Sequence, residues 1–244
     1  MWSVIDSMSK KNIFLILLSL MITFEAHSGV KPLHTREVIG QDGEYKVDIV
    51  NTSNEKYLVQ FWLEDLEGNT SGIPVVLTPP MFEIDALGSG FIRLMPITSG
   101  LTKKTESVYW LNIQEIPRKL TSSSKNQLKM AVRTRIKVFI RPEFMSNDGL
   151  EKASKSLTWK VNEKSDGLEL IATNASPYYL SMGELEVISS TKSIQLSGRF
   201  KMVPPNSIQK YEIPEYFRKK ELKIRHGVIN DYGGVSVVHE NYVK

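Results

Sequence analysis

The strongest pattern in the chain is a strict alternation of apolar and polar residues between positions 128 and 141. One face carries Leu128, Met130, Val132, Thr134, Ile136, Val138 and Ile140, and the other carries Lys129, Ala131, Arg133, Arg135, Lys137, Phe139 and Arg141. A period of two predicts a β-strand with one nearly apolar face. So long an apolar row must be buried, either in the protein's own core or against the sheet of another protein.

Shorter alternating runs recur on both sides of this strand. Before it, they cover residues 45–50, 57–63, 91–94 and 108–113, and turn-forming residues lie between them at 51–54, 67–69, 78–80 and 87–90. Helical periodicity is nearly absent after the N-terminal segment. Many short strands at this spacing predict an all-β fold built from antiparallel sandwiches.

A change in composition after Pro142 predicts a domain boundary. Proline has no N–H to donate to a sheet, so Pro142 is a natural strand end. Residues 143–155 are polar, and alternation then resumes in seven further runs between residues 157 and 238. We therefore expect a first β-domain over residues 29–142 that ends with the strand 126–141, a linker over 143–155, and a second β-domain over 156–244.

The N-terminus has the features of an export signal. Lys10 and Lys11 precede an apolar run over residues 12–24, and the small residues Ala26 and Ser28 follow at the positions that signal peptidases prefer. Residues 1–28 are therefore predicted to be a cleaved signal peptide, with an uncleaved membrane anchor as the alternative. No other span is expected. The chain has no Cys, so no disulfide framework stabilises it.

Charge and catalytic motifs argue against several function classes. The formal net charge is +4, and it stays +4 after removal of residues 1–28, which hold two charges of each sign. That charge is too small to favour nucleic acid as a partner. His34, His226 and His239 are isolated in sequence and lack metal-ligand spacing. No nucleophile elbow or phosphate loop is present. We therefore predict no enzyme activity, no metal and no cofactor.

The basic face of the long strand has three interpretations. Its cations could form a solvated surface, a stripe that binds nucleic acid, or a set of ligands for one specific anion. The stripe is the weakest of the three, because stacking aromatics and a strong overall charge are missing from the sequence pattern. Composition alone favours the solvated surface.

Several segments, taken together and in order, resemble one known family. They are Thr35-Arg36, Thr78-Pro79-Pro80, residues 106–117, residues 128–142, residues 174–179 and residues 229–234. In this order they are similar to the signature of the periplasmic chaperones of chaperone–usher pilus assembly, the PapD-like family. Two details depart from it: Ile140 stands where an aromatic residue is common, and Arg118 stands where a second proline often follows. The resemblance implies two immunoglobulin-like β-sandwich domains in a boomerang arrangement with a cleft between them.

The resemblance also implies roles for individual residues. Arg36 and Lys137 match the two cations that anchor the C-terminal carboxylate of a bound pilus subunit. Leu128, Met130 and Val132 match the strand that the chaperone donates to the open core of the subunit. The other apolar residues of the strand, Ile136, Val138 and Ile140, are then expected in the chaperone's own core. The short loop 117–127 is similar to that of the class serving rod-forming pili.

A third group, Glu106, Arg141 and Asp231, matches a charged network between the two domains. The alternative is three unrelated surface charges. An Arg can bridge two carboxylates bidentately, so the resemblance implies a device that fixes the domain angle.

The implied function is that of a periplasmic chaperone. It would bind, fold and cap pilus subunits by donor-strand complementation and deliver them to an outer-membrane usher. The free protein could cap its own strand by forming a dimer. The alternatives are a secreted β-sandwich fibre subunit and a secreted hydrolase or carbohydrate-binding protein. The fibre subunit is disfavoured because such subunits are single incomplete domains, commonly with a Cys pair. The hydrolase or carbohydrate-binding protein has little support because no paired catalytic carboxylates can be placed in this sequence.

Overall fold

A computed structural model describes residues 29–116, 131–164, 167–196 and 202–243 of the chain. The predicted signal peptide, the loop 117–127 and two residues of the predicted donated strand, Leu128 and Met130, lie outside the described residues. Within them, the first nine strands are β1 (Val30–Pro32), β2 (Arg36–Ile39), β3 (Tyr45–Asn51), β4 (Tyr57–Glu64), β5 (Val75–Thr78), β6 (Met81–Ile84), β7 (Ser89–Pro96), β8 (Ser107–Ile116) and β9 (Arg133–Ile140).

The second half begins with a helix and continues with seven strands. These elements are α1 (Asn147–Lys155), β10 (Thr158–Lys164), β11 (Gly167–Asn174), β12 (Met182–Ile188), β13 (Ser193–Gln195), β14 (Ser207–Ile213), β15 (Leu222–Val228) and β16 (His239–Val243). Two single-turn 3-10 helices lie at Thr98–Gly100 and Glu215–Phe217.

The first nine strands form two sheets that enclose one core. The four-stranded sheet has the order β1-β3-β7-β5, and the five-stranded sheet has the order β2-β9-β8-β4-β6. Alternate residues of each strand point into the space between the sheets, where Ile49, Phe61, Ile92 and Leu111 are almost completely buried. Stacking of two half-buried sheets is the arrangement that the period-two pattern requires.

The chain changes sheets between β1 and β2, and this change places Arg36, the first of the predicted site residues. β1 pairs with β3 in one sheet, whereas β2 pairs with β9 in the other. The β2–β9 pairing is parallel and sets Arg36 directly opposite Lys137. The other strand pairings among the described residues are antiparallel.

Strand β9 is shorter than the sequence pattern predicts, within the described residues. It begins at Arg133, and residues 131–132 are not part of a strand, although the carbonyl of Val132 accepts a hydrogen bond from the Glu115 N–H at 3.0 Å. β8 covers one edge of β9 from residue 133 to 140, but β2 covers the other edge only from residue 137 to 140. Among the described residues, no strand pairs with the second edge over residues 133–136.

The second half is also a two-sheet sandwich with its own core. Its sheets have the orders β10-β11-β14 and β13-β12-β15-β16, and Leu170, Leu180, Leu185 and Ile224 are buried between them. Two sandwiches with separate cores confirm the prediction of an all-β fold with two β-domains.

Helix α1 was not predicted from the sequence. It occupies most of the polar segment expected to be a linker, and its Leu150 and Ala153, together with Leu157 after it, pack into the second core. Their spacing of three and four residues is helical, but three apolar positions in so short and polar a segment give a weak pattern. The helix therefore belongs to the second core rather than to a free linker.

Candidate functional site

Arg36 and Lys137 lie side by side on the outer face of the five-stranded sheet because they are register partners in the β2–β9 pair. Arg36 is only 9% exposed, and its Nη1 donates to the carbonyl of Ile229 in the second domain at 3.1 Å. The guanidinium also lies over the ring of Phe139, 5.5 Å from its centre. Its buried Nε has no hydrogen-bond partner among the described residues. Burial lowers the pKa of Arg36, while the carboxylates of Asp231 and Glu106 act against that effect.

Lys137 is a partly buried cation without an anionic partner among the described residues. Its Nζ lies over the indole ring of Trp110, 5.4 Å from the ring centre, and Trp110 is its register partner on β8. Burial, followed by the repulsion from Arg36, lowers the pKa of Lys137 to about 8. Two neighbouring cations that repel each other are stabilised by a bound anion, and a carboxylate can take charge-assisted hydrogen bonds from both.

The two arginines further along β9 have partners within the protein. One carboxylate oxygen of Glu64 on β4 accepts a hydrogen bond from Nη2 of Arg133 at 2.6 Å, and the other accepts one from Nη2 of Arg135 at 2.7 Å. The indole N–H of Trp62 donates to Glu64 at 2.8 Å, and this bond and the two guanidinium charges lower the pKa of Glu64. The guanidiniums lie 4.8 Å from the ring centre of Trp62 and 4.7 Å from that of Trp110, respectively. The basic face is therefore neither uniformly solvated nor uniformly available to an anion.

The structure brings Glu106, Arg141 and Asp231 together between the two domains. Nη2 of Arg141 donates to Glu106 at 2.9 Å, and Nη1 donates to Asp231 at 2.8 Å. The second oxygen of Glu106 accepts the backbone N–H of Tyr179 in the second domain at 2.9 Å. Burial disfavours the charged guanidinium of Arg141, but its hydrogen bonds to Asp231 and the two neighbouring carboxylates outweigh burial and raise its pKa. The guanidinium also lies 5.2 Å from the ring centre of Tyr178.

Of the predicted donated residues, Val132 is the one within the described chain. Its side chain is 44% exposed, and it directly precedes the uncovered edge of β9. Three apolar residues further along the strand, Ile136, Val138 and Ile140, are buried in the first core, as expected for them. The apolar row therefore leaves the protein's own core at its N-terminal end.

Sequence analysis missed Glu64 and Trp110 as members of the site. Trp110 lies within the segment 106–117 but had no role assigned to it, and Glu64 lies outside every segment that carries the resemblance. Both residues reach β9 through strand pairing across the sheet. The alternation of β8 places Trp110, Asn112 and Gln114 on one face, so a correct β8–β9 register would have identified Trp110. To predict the contact of Glu64 with Arg133 and Arg135, the β4–β8 register must be known as well.

A second feature of the structure corrects the sequence analysis. His226 and His239, which were treated as isolated, are register partners on β15 and β16, and their ring centres are 5.6 Å apart. His226 is fully buried, and its Nε2 lies 3.1 Å from the carbonyl of Ser154 on α1. Its ring centre is also 5.2 Å from that of Trp159. The spacing of thirteen residues hides the pair until the strands are aligned.

Neither a metal site nor a membrane-spanning helix is found in the part of the chain that the structure describes. Within the described ranges, no three His, Asp or Glu side chains are grouped closely enough to hold a metal ion. The helices of the described chain lack the length and apolar character that crossing a bilayer requires.

Comparison with known proteins identifies the family. Residues 29–146 match the model of the pili and flagellar-assembly chaperone PapD N-terminal domain, and residues 152–239 match that of the pili assembly chaperone PapD C-terminal domain. The probable fimbrial chaperone LpfB of Escherichia coli O157:H7 is 32% identical over 232 residues, which cover 93% of this chain and 95% of that protein. The chaperone protein FimC of Escherichia coli strain K12 is 28% identical over 226 residues, with 91% and 88% covered.

Solved structures share the same two-domain fold. The crystal structure of the YadV chaperone, at 29% identity, covers 88% of this chain and 100% of its own chain, with a TM-score of 0.72. A Salmonella enterica chaperone, SafB, solved in complex with the SafA pilin, has the same fold at 21% identity, with 90% and 98% covered and a TM-score of 0.72. The family models together cover both immunoglobulin-like β-sandwiches, and this chain belongs to the PapD-like family of pilus-assembly chaperones.

Proposed function

We propose that this protein is a periplasmic chaperone that binds, folds and caps pilus subunits and passes them to an outer-membrane usher. Membership of the PapD-like family and the similarity to fimbrial chaperones support this function. The observation that carries the mechanism is the paired cations, Arg36 and Lys137, placed at the end of the uncovered edge of β9. Export by removal of residues 1–28 forms part of the proposal.

The cations define where the last residue of a subunit would bind. A chain terminus carries one carboxylate, and Lys137 has no competing anion among the described residues. Burial strengthens the interaction, because charge-assisted hydrogen bonds gain strength where water is excluded. Arg36 and Lys137 are therefore proposed as the two donors to the C-terminal carboxylate.

The uncovered edge defines the direction of the bound strand. β2 occupies the edge of β9 from residue 137 onward, so an incoming strand has room only alongside residues 133–136 and the chain before them. If its C-terminus reaches Lys137, the incoming strand runs in the same direction as β9. Main-chain hydrogen bonds along this edge would fix its register.

Side chains of the donated segment would supply the second part of the interaction. A subunit that lacks one strand exposes its core, and alternate residues of an added strand can fill it. Val132 is exposed next to the uncovered edge, and Leu128 and Met130 continue its alternation in the sequence. These three residues are proposed as the donated row.

The network of Glu106, Arg141 and Asp231 is proposed to hold the domains at the angle that forms the site. Arg36 contributes to the same alignment, because it donates a hydrogen bond to Ile229 in the second domain and is also one of the two proposed carboxylate donors. A change of domain angle would therefore displace one of the two carboxylate donors.

Capture of a co-expressed fimbrial subunit tests this function. Lys137→Ala should weaken capture by about 2–5 kcal/mol, because removal of one donor leaves a buried carboxylate partly unpaired. A short C-terminal extension of the subunit should weaken capture by the wild type as strongly, since it moves the carboxylate away. Lys223→Ala, which removes a cation paired with Glu240 in the second domain, is the matched control. Capture by the Lys137→Ala variant at the level of the control would refute the proposed anchor.

A further inference from the structure

Four cations follow one another on the outer face of the five-stranded sheet, and they differ in their partners. They are Arg36, Lys137, Arg135 and Arg133. We infer that Glu64 and Trp110 sort these cations, so that only Arg36 and Lys137 remain available and the face accepts one carboxylate instead of an extended polyanion. The inference rests on the proposed function in one respect, the identity of the carboxylate as a subunit terminus.

Glu64 engages the two arginines that a polyanion would otherwise contact. Each of its oxygens binds one guanidinium, and the oxygen nearer Arg133 also accepts the indole N–H of Trp62. Asn112 engages a further donor of Arg133, since its Oδ1 accepts a hydrogen bond from Nε at 2.9 Å. Glu64 is itself buried, and three donors compensate its carboxylate for the loss of water.

The aromatic rings occupy the flat faces of these arginines. Arg133 lies over Trp62 and Arg135 lies over Trp110. The side chains of Arg133 and Arg135 are still 38% and 39% exposed. Each guanidinium is nevertheless stacked on an indole and bound to a carboxylate, so its charge is partly neutralised and its attraction for an outside anion is weakened. The two arginines are therefore structural cations of the sheet.

Trp110 contacts Arg135 and Lys137 at once, so it lies at the border between the engaged and the available cations. The ring centre is 4.7 Å from the guanidinium and 5.4 Å from the ammonium. The indole attracts the ammonium through its π face without cancelling the charge, and it covers one side of the Lys137 side chain. Trp110 is thus a positioning residue: it fixes a long flexible side chain close to Arg36 before an anion binds.

This arrangement makes the basic face selective for a single carboxylate over an extended polyanion. A stripe of cations interleaved with aromatic rings is the usual surface for non-specific binding of polyanions. Here the stripe is interrupted after two cations, and the interruption is made by one carboxylate from β4, which is separated from β9 by β8. The sorting explains how a basic strand face with two tryptophans can serve a single carboxylate.

The first test measures retention of the free chaperone on a heparin column, which needs no subunit. Glu64→Gln should elute at higher salt than the wild type, because it frees two neighbouring guanidiniums. Glu163→Gln changes the net charge equally and removes one partner of Arg218 in the second domain, so it is the matched control. Adding Arg133→Gln and Arg135→Gln to the Glu64→Gln variant should return elution to the wild-type salt concentration. Equal elution of the Glu64→Gln and Glu163→Gln variants would overturn the sorting by Glu64.

The second test measures the pKa of Lys137 by NMR after methylation of the lysines with a carbon-13 label. Trp110→Leu should raise this pKa from about 8 towards the ordinary lysine value, because the ammonium regains water. Trp62→Leu removes an indole from the same face that contacts Arg133 but not Lys137, and it should leave the pKa unchanged. An unchanged pKa in the Trp110→Leu variant, or the same change in both variants, would overturn the positioning role.

A third variant covers the case in which Glu64→Gln does not fold. The triple variant Glu64→Gln, Arg133→Gln, Arg135→Gln removes the carboxylate together with both of its arginine partners, and it should capture a fimbrial subunit within about twofold of the wild type. A loss as large as that of Lys137→Ala would place the arginines in the anion site and overturn the sorting. If subunit capture fails in every protein while the heparin and pKa results hold, the sorting stands and the proposed partner is wrong.

Discussion

The guanidinium of Arg36 joins the two domains directly, since its Nη1 lies 3.1 Å from the carbonyl oxygen of Ile229. Arg36 is at the same time the register partner of Lys137. One side chain therefore takes part in both the proposed carboxylate site and the domain interface. Under the proposed function, binding at the site would therefore be coupled to the angle between the domains through this residue.

The low pKa of Lys137 predicts a pH limit for the anchor. The free protein loses the ammonium charge as the pH rises through about 8, whereas a bound carboxylate holds the proton to a higher pH. Affinity for a peptide ending in a free carboxylate should be constant below about pH 7 and should fall about tenfold per pH unit above 8. Fluorescence anisotropy with a labelled peptide of the subunit's last residues, at pH 6 to 10, measures this dependence.

Lys137→Arg is the control for this titration, because arginine stays charged over the whole range. Its affinity should be independent of pH even if it is weaker than that of the wild type. The same fall above pH 8 in the Lys137→Arg variant would assign the titration to another group. A peptide with an amidated C-terminus should bind weakly at every pH.

The uncovered edge predicts a strong difference between two adjacent positions. Val132→Asp should block complex formation with a fimbrial subunit, because it would place a charge in the subunit's open core. Ala131→Asp introduces the same charge one residue away, on the opposite face of an extended strand, and should weaken the complex far less. Native gel electrophoresis of purified complexes distinguishes the two outcomes. Equal losses would indicate general electrostatic repulsion instead of strand addition.

The buried network predicts that Asp231 stabilises the domain angle. Asp231→Ala leaves Arg141 with Glu106 as its remaining carboxylate partner and should lower the free energy of unfolding by about 1.5–3 kcal/mol. Urea denaturation measures the loss, and small-angle X-ray scattering should detect a wider spread of domain angles.

Asp48→Ala is the matched control for the network, because Asp48 pairs with Lys46 on the exposed surface of the first domain. That change should leave both measurements within error of the wild type. Wild-type stability and scattering in the Asp231→Ala variant would mean that the network does not fix the domain angle.

The buried histidine predicts that the second domain loses stability in acid. Burial, with a further contribution from His239, lowers the pKa of His226 below its usual value of 6.5. The unfolded chain therefore binds more protons than the folded one when the pH drops below about 6.5, and the free energy of unfolding falls. Urea denaturation at pH 7.5 and at pH 5 measures this fall in the free energy of unfolding.

The contribution of His226 can be separated from that of other groups by substitution. His226→Gln should reduce the loss of stability between these two pH values, whereas His34→Gln, at an exposed position, should leave the loss as in the wild type. An undiminished acid sensitivity of the His226→Gln variant would exclude His226 as its source.

The fold was predictable because its signals are local. Alternation, turn residues and Pro142 predict strands one at a time, and the resemblance of segments such as residues 106–117 and 128–142 to the family implies how the domains are arranged. Helix α1 was not predictable in the same way, since Leu150, Ala153 and Leu157 give too few apolar positions to stand out from a polar segment.

The site was predictable only in part, because much of it depends on contacts between distant strands. Arg36 and Lys137 could be named from the family resemblance, but the lowered pKa of Lys137 comes from its burial and from the neighbouring Arg36, and its contact with Trp110 follows only from strand register. The pairing of Glu64 with Arg133 and Arg135 spans about seventy residues of sequence. Period-two patterns show which face a side chain occupies, but they do not identify its neighbour on the next strand.

The parallel pairing of β2 with β9 has a consequence for the order of events in time. A strand that enters beside β2 and ends at Lys137 must present its last residue there, and a chain still being exported has no free terminus to present. Under the proposed function, recognition therefore waits until the whole subunit has emerged from the membrane. The paired cations would then act as a check that the newly delivered chain is complete at its final residue.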